Sequence, residues 1–374
     1  MIRLLSIQPV AERGGSDQAL VGMLRSLPPT EFACHVAVPS EPPLRVEFEA
    51  AGATVHIVPM RRISTSHGLG TWAGYVTGWP VATTRLTRLA HRVGADIVHT
   101  NSLHSWYGWA VATASRRPHV WSAREIVMQS SAALRVERSL ARRAELVIAA
   151  SHAVAAQLDP RNVVVVHENA DPAIFRPSRA GAFRARVGIP DDAFVVAAVG
   201  RIDTWKGIDV LLDAWRHVVG AHSDPHLVVA GGPVAGKDEY FTALAKRAQG
   251  IADTHWLGPR DDVPDLFADA DLVVVPSTEP EPYGLVAVEA LASGTPLLAS
   301  DAGGLREIVA SAHPSAGTLV RPGDVDALAS ALGARIERAG PTSTPIRAAR
   351  LPLREPEPDH YAELLRSMVP AKRP

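Results

Sequence analysis

The sequence predicts two consecutive doubly wound α/β domains, each built on a parallel sheet with helices on both faces. Two patterns indicate this fold. Short apolar runs bounded by turn residues alternate with stretches of helical spacing, and the whole pattern restarts after Phe175-Arg176-Pro177. A chain of 374 residues, 47% of them hydrophobic, is long enough to form two such cores. We therefore predict a first domain over residues 1–177, a second over 178–350, and a C-terminal segment, 351–374, that packs back on the first.

In the first half, the apolar runs predict seven strands: Ile2–Ile7, Cys34–Val38, Thr54–Val58, Ile97–His99, His119–Trp121, Leu146–Ala149 and Val163–Val166. Stretches with helical spacing lie between most of them. One apolar helix face carries Val81, Leu86, Leu89, Ala90 and Val93, and another carries Val136, Leu140 and Ala144. Because the strands are apolar on both faces, helices are expected to cover both sides of the sheet.

In the second half, the predicted strands are Phe194–Val199, His226–Ala230, Thr254–Leu257, Leu272–Val275, Pro296–Ala299 and Thr318–Val320. Ile208–Val219 is predicted to be a helix because its apolar residues recur at helical spacing. Residues 340–358 are rich in proline and polar residues and indicate a connector before a short helix at Asp359–Met368. Ligands of doubly wound sheets bind beyond the carboxyl ends of the strands, so the strand-to-helix loops are the candidate sites.

The composition excludes several classes of protein. The single cysteine, Cys34, rules out an intramolecular disulfide framework and a zinc site of several thiolates, and it favours a reducing cytoplasm. The first residues lack the features of a signal peptide, and no window approaches the length of apolar sequence that spans a membrane.

The charge is divided unequally along the chain. Residues 1–177 hold 18 Arg, no Lys and 13 acidic residues, a balance of +5, whereas the rest holds 20 basic and 26 acidic residues, a balance of -6. A surplus of +5 spread over a whole domain is not the clustered basic stripe of a nucleic-acid-binding protein. It leaves open a solvated surface without a partner, or peripheral contact with an anionic partner such as the inner membrane surface.

Three strand-to-helix loops carry candidate chemistry. The first contains Gly14-Gly15-Ser16, where backbone amides could approach an anion at a helix start, although such a turn is equally often a simple connection. The loop 200–207 places Arg201 and Lys206 beside a helix start, which suits a diphosphate. The loop 278–284 carries Glu281, and Glu289 follows in the next helix. These two carboxylates could accept hydrogen bonds from opposite ends of an extended ligand.

These residues resemble the donor site of retaining glycosyltransferases of family 4, which have the GT-B fold of two Rossmann-like domains. The resemblance rests on Arg201 and Lys206 followed by Glu281 and Glu289 within EPYGLVAVEALASGTP. Further motifs follow in the family's order over nearly the whole chain. They are DIVHTNS (96–102), ELVIAASHAV (145–154), VVVVHENADPAIFRP (163–177), THWLGPRDDVPDLFADADLVVVPS (254–277) and AGGLREIV (302–309).

The resemblance implies a role for each matching residue. Arg201 and Lys206 would bind the diphosphate of a UDP- or GDP-sugar, Glu281 would face the sugar hydroxyls, and Glu289 would face the ribose. Further donor contacts would come from Gly15, Ser16, Gly200, Arg260, Tyr283, Gly284 and Leu285. The first domain would bind the acceptor, which would be a glycan, a lipid-linked molecule or a small molecule. No metal or other cofactor is implied, because cations and helix termini can stabilise the leaving phosphate.

The chain departs from the family pattern at three places. Arg124 stands where many relatives have a histidine, Asn169-Ala170-Asp171 replaces the Asn-Gly-Val-Asp turn, and Arg306 replaces the proline before Glu307. Arg124, at the histidine position, and its neighbour Glu125 are candidate contacts to the sugar or the acceptor. His104, which lies beyond a strand of the first domain, is a third candidate. His99 and His104 also suggest metal binding, but no third ligand is in view, and we expect a structural role for His99.

Aromatic residues cluster in the first half near Arg61 and Arg62. They are Trp72, Tyr75, Trp79, Trp106, Tyr107 and Trp109. Such a cluster suits carbohydrate stacking, a membrane interface or simply a hydrophobic core, and we favour an acceptor-binding surface.

Two other functions remain open at the level of sequence. A nucleotide-sugar epimerase on the same fold would bring further acid and base groups to the sugar and would need no acceptor surface. A catalytically silent protein that binds a sugar nucleotide or a glycan would be signalled by loss of Arg201, Lys206 or Glu281, all of which are present. A cytoplasmic glycosyltransferase is the leading hypothesis.

Overall fold

The structure, a computed structural model, describes residues 1–12, 14–61, 69–128, 131–158, 160–177, 182–219, 225–234, 236–339 and 360–369. The chain divides into two compact units, Met1–Glu168 with Pro356–Pro374 and Asn169–Glu355. Each unit is a doubly wound α/β domain, as the apolar pattern predicts. The predicted connector at 340–358 lies outside the described residues.

The first unit contains a parallel sheet of seven strands in the order β3-β2-β1-β4-β5-β6-β7. The strands are β1 (Ile2–Ile7), β2 (Phe32–Val38), β3 (Ala53–Ile57), β4 (Ile97–Thr100), β5 (His119–Ala123), β6 (Leu146–Ala149) and β7 (Val163–Val165). The helices are α1 (Gly15–Arg25), α2 (Arg45–Ala50), α3 (Leu69–Val93), α4 (Tyr107–Ser115), α5 (Ser131–Ala141) and α6 (His152–Ala155). The order reverses between β1 and β4, which is the topological switch point of this unit.

The second unit contains a parallel sheet of six strands in the order β10-β9-β8-β11-β12-β13. The strands are β8 (Phe194–Val199), β9 (Pro225–Ala230), β10 (Thr254–Gly258), β11 (Leu272–Val275), β12 (Leu297–Ser300) and β13 (Gly317–Val320). The helices are α7 (Ala182–Val187), α8 (Ile208–Val219), α9 (Asp238–Gln249), α10 (Val263–Asp269), α11 (Leu285–Ala292), α12 (Leu305–Ser311) and α13 (Val325–Ala339). Its switch point lies between β8 and β11.

The last helix, α14 (His360–Ser367), packs on the core of the first unit. Its residues Ala362 and Leu365 are buried in the same apolar cluster as Leu4 of β1 and Val36 of β2. At its end, Arg366 makes an ion pair with Glu31, with 2.9 Å between Nε and Oε2.

The predicted fold is confirmed. All seven strands predicted in the first half and all six in the second are present, with ends displaced by at most two residues. Helix α8 has the predicted bounds because apolar residues at helical spacing face a buried core that includes Leu211 and Trp215.

Candidate functional site

Two loops meet at the switch point of the second unit, and each brings one charged side chain. Lys206 lies on the loop after β8, and Glu281 lies on the loop after β11. Their side chains form an ion pair, with 2.5 Å between Lys206 Nζ and Glu281 Oε1. Glu281 is 4% exposed, whereas the Lys206 side chain is 22% exposed and lies over the Trp205 ring. The structure thus brings together two residues that the sequence predicted for one site.

The loop after β8 has a fixed conformation that delivers Lys206. Asp203 begins a short 3-10 turn and accepts a hydrogen bond from the Thr204 amide at 2.7 Å. It also pairs with Lys237, and together these contacts lower the pKa of the Asp203 carboxyl against the opposing effect of burial. Gly207 follows with a φ of +67°, and a Cβ there would lie 2.0 Å from the Pro276 carbonyl oxygen. The two loops therefore touch through backbone at a point that only glycine allows.

The loop after β11 holds Glu281 from both its side chain and its backbone. Ser277, which is fully buried, donates a hydrogen bond of 2.6 Å to Glu281 Oε1. The Glu281 carbonyl accepts a 2.8 Å hydrogen bond from the amide of Gly304, just before α12. Gly303 has a φ of +61°, and a Cβ on it would lie 2.1 Å from that same carbonyl. The turn at 303–304 therefore forms a support on which the Glu281 backbone rests.

Helix α11 begins directly after this loop. Gly284 precedes it with a φ of +115°, and no side chain caps the helix at this end. Tyr283, Gly284 and Leu285 thus stand at the partly positive N-terminus of α11, where an anion is stabilised. Glu289 lies in the second turn, and desolvation by burial raises the pKa of its carboxyl to about 8.

The two predicted arginines differ in their surroundings. Arg201 is exposed on the same loop as Lys206, next to Gly200, which has a φ of +147°. Arg260 follows β10 and makes two hydrogen bonds to Asp262, of 2.7 Å from Nε and 2.5 Å from Nη2. These bonds raise the pKa of Arg260 and fix its guanidinium. Arg201 is thus the exposed cation of this group, while Arg260 is already paired.

In the first unit, Gly15 and Ser16 stand at the start of α1, as predicted. Gly14 precedes the helix in extended conformation, and the amides of Asp17 and Gln18 both donate to its carbonyl at 3.1 Å. Burial raises the pKa of Asp17 to about 6, against the effect of its hydrogen bond from Gln8. The turn therefore lies at the carboxyl end of β1, beside the switch point of this unit.

Arg124, which the sequence offered as a substitute for a histidine, is a buried and paired cation. Its guanidinium forms an ion pair with Glu168, and its Nε donates to Asn101 Oδ1 at 2.6 Å. Burial lowers the pKa of Arg124, while Tyr361 of α14 interacts with the guanidinium and opposes that shift. Arg124 therefore links the ends of β4, β5 and β7 to the last helix.

The neighbouring candidates are also held in place. Glu125 accepts hydrogen bonds from the Ser102 hydroxyl at 2.5 Å and from the Leu103 amide at 2.9 Å. His104 Nδ1 lies 2.8 Å from Oε1 of Glu137, a carboxyl that is 2% exposed and whose pKa is raised by burial. His104 and Glu137 form a partly exposed imidazole and carboxylate pair.

His99 has the structural role that the sequence favoured. It is fully buried, with Nδ1 3.1 Å from the Ser6 hydroxyl and Nε2 2.8 Å from the Ser122 hydroxyl. Burial lowers its pKa to about 3, so its imidazole is neutral at physiological pH. It links β1, β4 and β5 through hydrogen bonds.

The aromatic cluster belongs in part to the core. Tyr107 is 1% exposed, stacks on Trp79 at 6.5 Å between ring centroids, and exchanges hydrogen bonds with the backbone of Arg61. Trp109 lies on the other side of α4 with Arg143 over its ring. Arg62 and the side chains of Trp72 and Tyr75 lie outside the described residues. For Trp79 and Tyr107, packing in the core is the better interpretation.

Asp203, Ser277 and Gly303 hold the predicted residues in place and were not among the site residues predicted from the sequence. Ser277 could have been suspected because it comes two residues after the carboxyl end of β11, where site residues concentrate in doubly wound sheets. Gly303 lies in the AGGLREIV motif, but its contact with the Glu281 backbone was not predictable, because Glu281 precedes it on a separate loop. The arrangement as a whole offers two cations, two carboxylates and a helix N-terminus, which suits a phosphorylated sugar compound.

A pair of Rossmann-like domains with such a site at the end of the second sheet defines the GT-B class of glycosyltransferases. Two family models match the chain: "Glycosyl transferase 4-like domain" over residues 14–170 and "Glycosyl transferases group 1" over residues 181–346. The chain therefore belongs to the GT-B glycosyltransferases of the family 4 type.

Solved structures and curated relatives agree with this assignment. The Anabaena protein HepE, solved in complex with UDP-glucose, is 25% identical with a TM-score of 0.81, and the match covers 98% of this chain and 100% of that one. The sucrose-phosphate synthase of Thermosynechococcus elongatus has the same fold, with a TM-score of 0.72 at 21% identity over 99% of this chain and 95% of that one.

Among curated proteins, the D-inositol 3-phosphate glycosyltransferase of Streptomyces bingchenggensis is 33% identical over 293 residues, which cover 68% of this chain and 59% of that protein. That of Mycolicibacterium paratuberculosis is 34% identical over 281 residues, 68% of this chain and 62% of that protein. The chain thus spans about three fifths of the length of these relatives. Among the described residues, none of the helices has the length and apolarity needed to cross a membrane.

Proposed function

We propose that the protein transfers a sugar from a nucleotide-sugar donor to a hydroxyl group of an acceptor. The observation that carries the proposal is the Lys206 and Glu281 pair at the switch point of the second unit. A cation and a carboxylate in contact suit a ligand that is anionic at its diphosphate and rich in hydroxyls at its sugar. Since HepE is solved with UDP-glucose, a uridine donor is the first to test, with a guanosine donor as the alternative.

The chemistry follows from the charges. As the bond between the sugar and the diphosphate breaks, negative charge develops on the leaving phosphate. Lys206, the exposed Arg201 and the N-terminus of α11 stabilise that charge. These groups supply what a divalent ion supplies elsewhere, so we propose that transfer is independent of metal.

We propose that the configuration at the anomeric carbon is retained. In this mechanism the acceptor oxygen attacks from the face that the phosphate leaves, through a state with oxocarbenium character, and its proton passes to the departing phosphate. Glu281 then acts by binding sugar hydroxyls and not as a nucleophile. Its Oε1 already accepts hydrogen bonds from Lys206 and Ser277, which supports an orienting role.

We propose that the acceptor binds to the first domain. The curated relatives are named for an inositol phosphate, which favours a small polyol or sugar over a long glycan or a lipid-linked molecule. The single cysteine fits a reaction in the cytoplasm. A lipid-linked acceptor would instead require peripheral contact with the inner membrane surface.

The first experiment is a thermal unfolding screen with UDP-, GDP-, ADP- and TDP-sugars in the presence of EDTA. A ligand that binds only the native state raises the melting temperature, by an increment that grows with ligand concentration. We expect one nucleotide class to raise it while EDTA is present, and an acceptor screen with that donor would follow. No increase with any nucleotide sugar, with or without added divalent ions, would contradict the proposed donor site.

A further inference from the structure

A buried polar network occupies the switch point of the first unit, where β1 and β4 lie side by side. It consists of Gln8, Ser16, Asn101 and Arg124, and we refer to it as the Asn101 network. Gln8 directly follows β1, Asn101 directly follows β4, and Arg124 directly follows β5. Gln8 and Asn101 are both fully buried. The network therefore stands at the place where ligands of doubly wound sheets bind, yet its central residue is closed to solvent.

Asn101 uses both ends of its amide. Its Nδ2 donates to the Ser16 carbonyl at 2.8 Å and to Gln8 Oε1 at 2.9 Å, while its Oδ1 accepts from Arg124 Nε at 2.6 Å. Gln8 continues the network by donating to Asp17 Oδ1 at 2.9 Å. These contacts fix the orientation of the Asn101 amide, because a flipped amide would turn a donor toward Arg124 and an acceptor toward the Ser16 carbonyl.

The network is fixed on its far side by charge. Arg124 is paired with Glu168 and interacts with Tyr361 of α14. A buried guanidinium held by several partners is a rigid hydrogen-bond donor. The position of the Ser16 carbonyl is thus defined through Asn101 by groups at the ends of three strands and one distant helix.

We propose that Asn101 is a positioning residue that holds the Gly15 and Ser16 turn in the conformation that binds the donor. This inference rests on the proposed function and on the donor contact that the family resemblance implies for Gly15 and Ser16. Asn101 does not touch the ligand, since it is fully buried, and it acts through the backbone of Ser16. No other described side chain donates to the Ser16 carbonyl, so this contact is specific to Asn101.

The test compares Asn101→Ala and Asn101→Asp with a matched control, Asn162→Ala. Asn162 lies in the same unit, and its Nδ2 also donates to backbone carbonyls, those of Ala141 at 2.8 Å and Ala144 at 2.7 Å. Asn101 is fully buried and Asn162 half-buried, but both alanine variants remove hydrogen bonds from a side-chain amide to backbone carbonyls, so both should lower the melting temperature. Asn101→Asp keeps the acceptor for Arg124 and removes the donor to the Ser16 carbonyl and to Gln8, so it separates these two contacts from the contact with Arg124.

Two measurements on the full chain are used. Hydrogen exchange is measured for the amides of Asp17 and Gln18, in the peptide that spans the start of α1. It reports how firmly the turn is held and requires no catalytic activity. Steady-state kinetics then separate the donor KM from kcat. We expect both Asn101 variants to speed exchange at this peptide and to lower kcat/KM for the donor by at least about tenfold, while Asn162→Ala changes neither.

Unchanged exchange at the start of α1 in Asn101→Asp would overturn the positioning role. Faster exchange with wild-type donor kinetics would overturn the link to donor binding. If the unsubstituted protein turns over no nucleotide sugar, the proposed function fails, and with it the link to the donor. The exchange data then still show whether Asn101 holds the turn.

Discussion

At the scale of single residues, the site depends on the contact between Lys206 and Glu281. We expect Lys206→Ala and Glu281→Gln each to lower kcat/KM by about 100-fold or more, because each removes a charge that acts on the reacting ligand. The fold should stay intact in both variants, but the melting temperature should fall in Lys206→Ala, because the buried Glu281 carboxylate loses its cation, and fall less in Glu281→Gln, which leaves no buried charge unpaired. Steady-state kinetics and thermal unfolding measure the two effects.

The controls for these variants are Lys246→Ala and Glu239→Gln. Both residues are exposed on α9, and the two substitutions remove the same charges from the same unit. They should retain the activity of the unsubstituted protein. If the site variants behaved like these two, the assignment of Lys206 and Glu281 would be wrong.

The stability of the protein should depend on pH through the buried carboxyl of Glu289. Burial raises its pKa to about 8, so between about pH 4.5 and about pH 8 the folded protein binds a proton more tightly than the unfolded chain does. The contribution of Glu289 to stability therefore falls as the pH rises through this window. Glu289→Gln removes the titration, so the melting temperature of the variant relative to the unsubstituted protein should rise from about pH 5 to about pH 9. A difference that stays constant with pH would contradict the shift.

At the scale of elements, the loop before α11 depends on the turn before α12. Gly303 has a positive φ and no room for a Cβ against the Glu281 backbone, whereas Gly323 has a similar φ of +72° with nothing within 4 Å. Alanine at either position adds the strain of a left-handed residue, about 1 kcal/mol. Only Gly303→Ala should also displace Glu281 and weaken donor binding, by about tenfold or more, as measured by calorimetry. Equal donor affinity in the two variants would count against this support.

The strands were predictable because a fully covered parallel strand must be apolar on both faces, and Phe194–Val199 and Leu272–Val275 satisfy this within a few residues. Lys206 and Glu281 were predictable because each follows such a strand. The burial of Arg124 was not, because it depends on Glu168 and Tyr361, whose proximity arises only when β5, β7 and α14 come together.

At the scale of the whole molecule, the two ends of the chain form one core. Helix α14 completes the apolar cluster that includes β1 and β2, so residues at the C-terminus stabilise the unit that begins at the N-terminus. The same helix supplies Tyr361 to Arg124, and Arg124 in turn holds Asn101. A substitution that loosens the packing of α14 is therefore expected to loosen the start of α1 as well.

Two neighbouring substitutions in α14 should differ in their effect on the first unit. Leu365 is 1% exposed in the shared core, and Leu365→Ala should cost about 2–5 kcal/mol through lost burial and the cavity that remains. Arg366→Ala removes a surface ion pair with Glu31 and should cost no more than about 1 kcal/mol. Hydrogen exchange resolved by peptide should show Leu365→Ala loosening β1, β2 and the start of α1, while the peptides of β8 and β11 keep their protection. Equal loosening in both units, or none in the first, would contradict the assignment of α14 to the first unit, because the lost contacts all lie in its core.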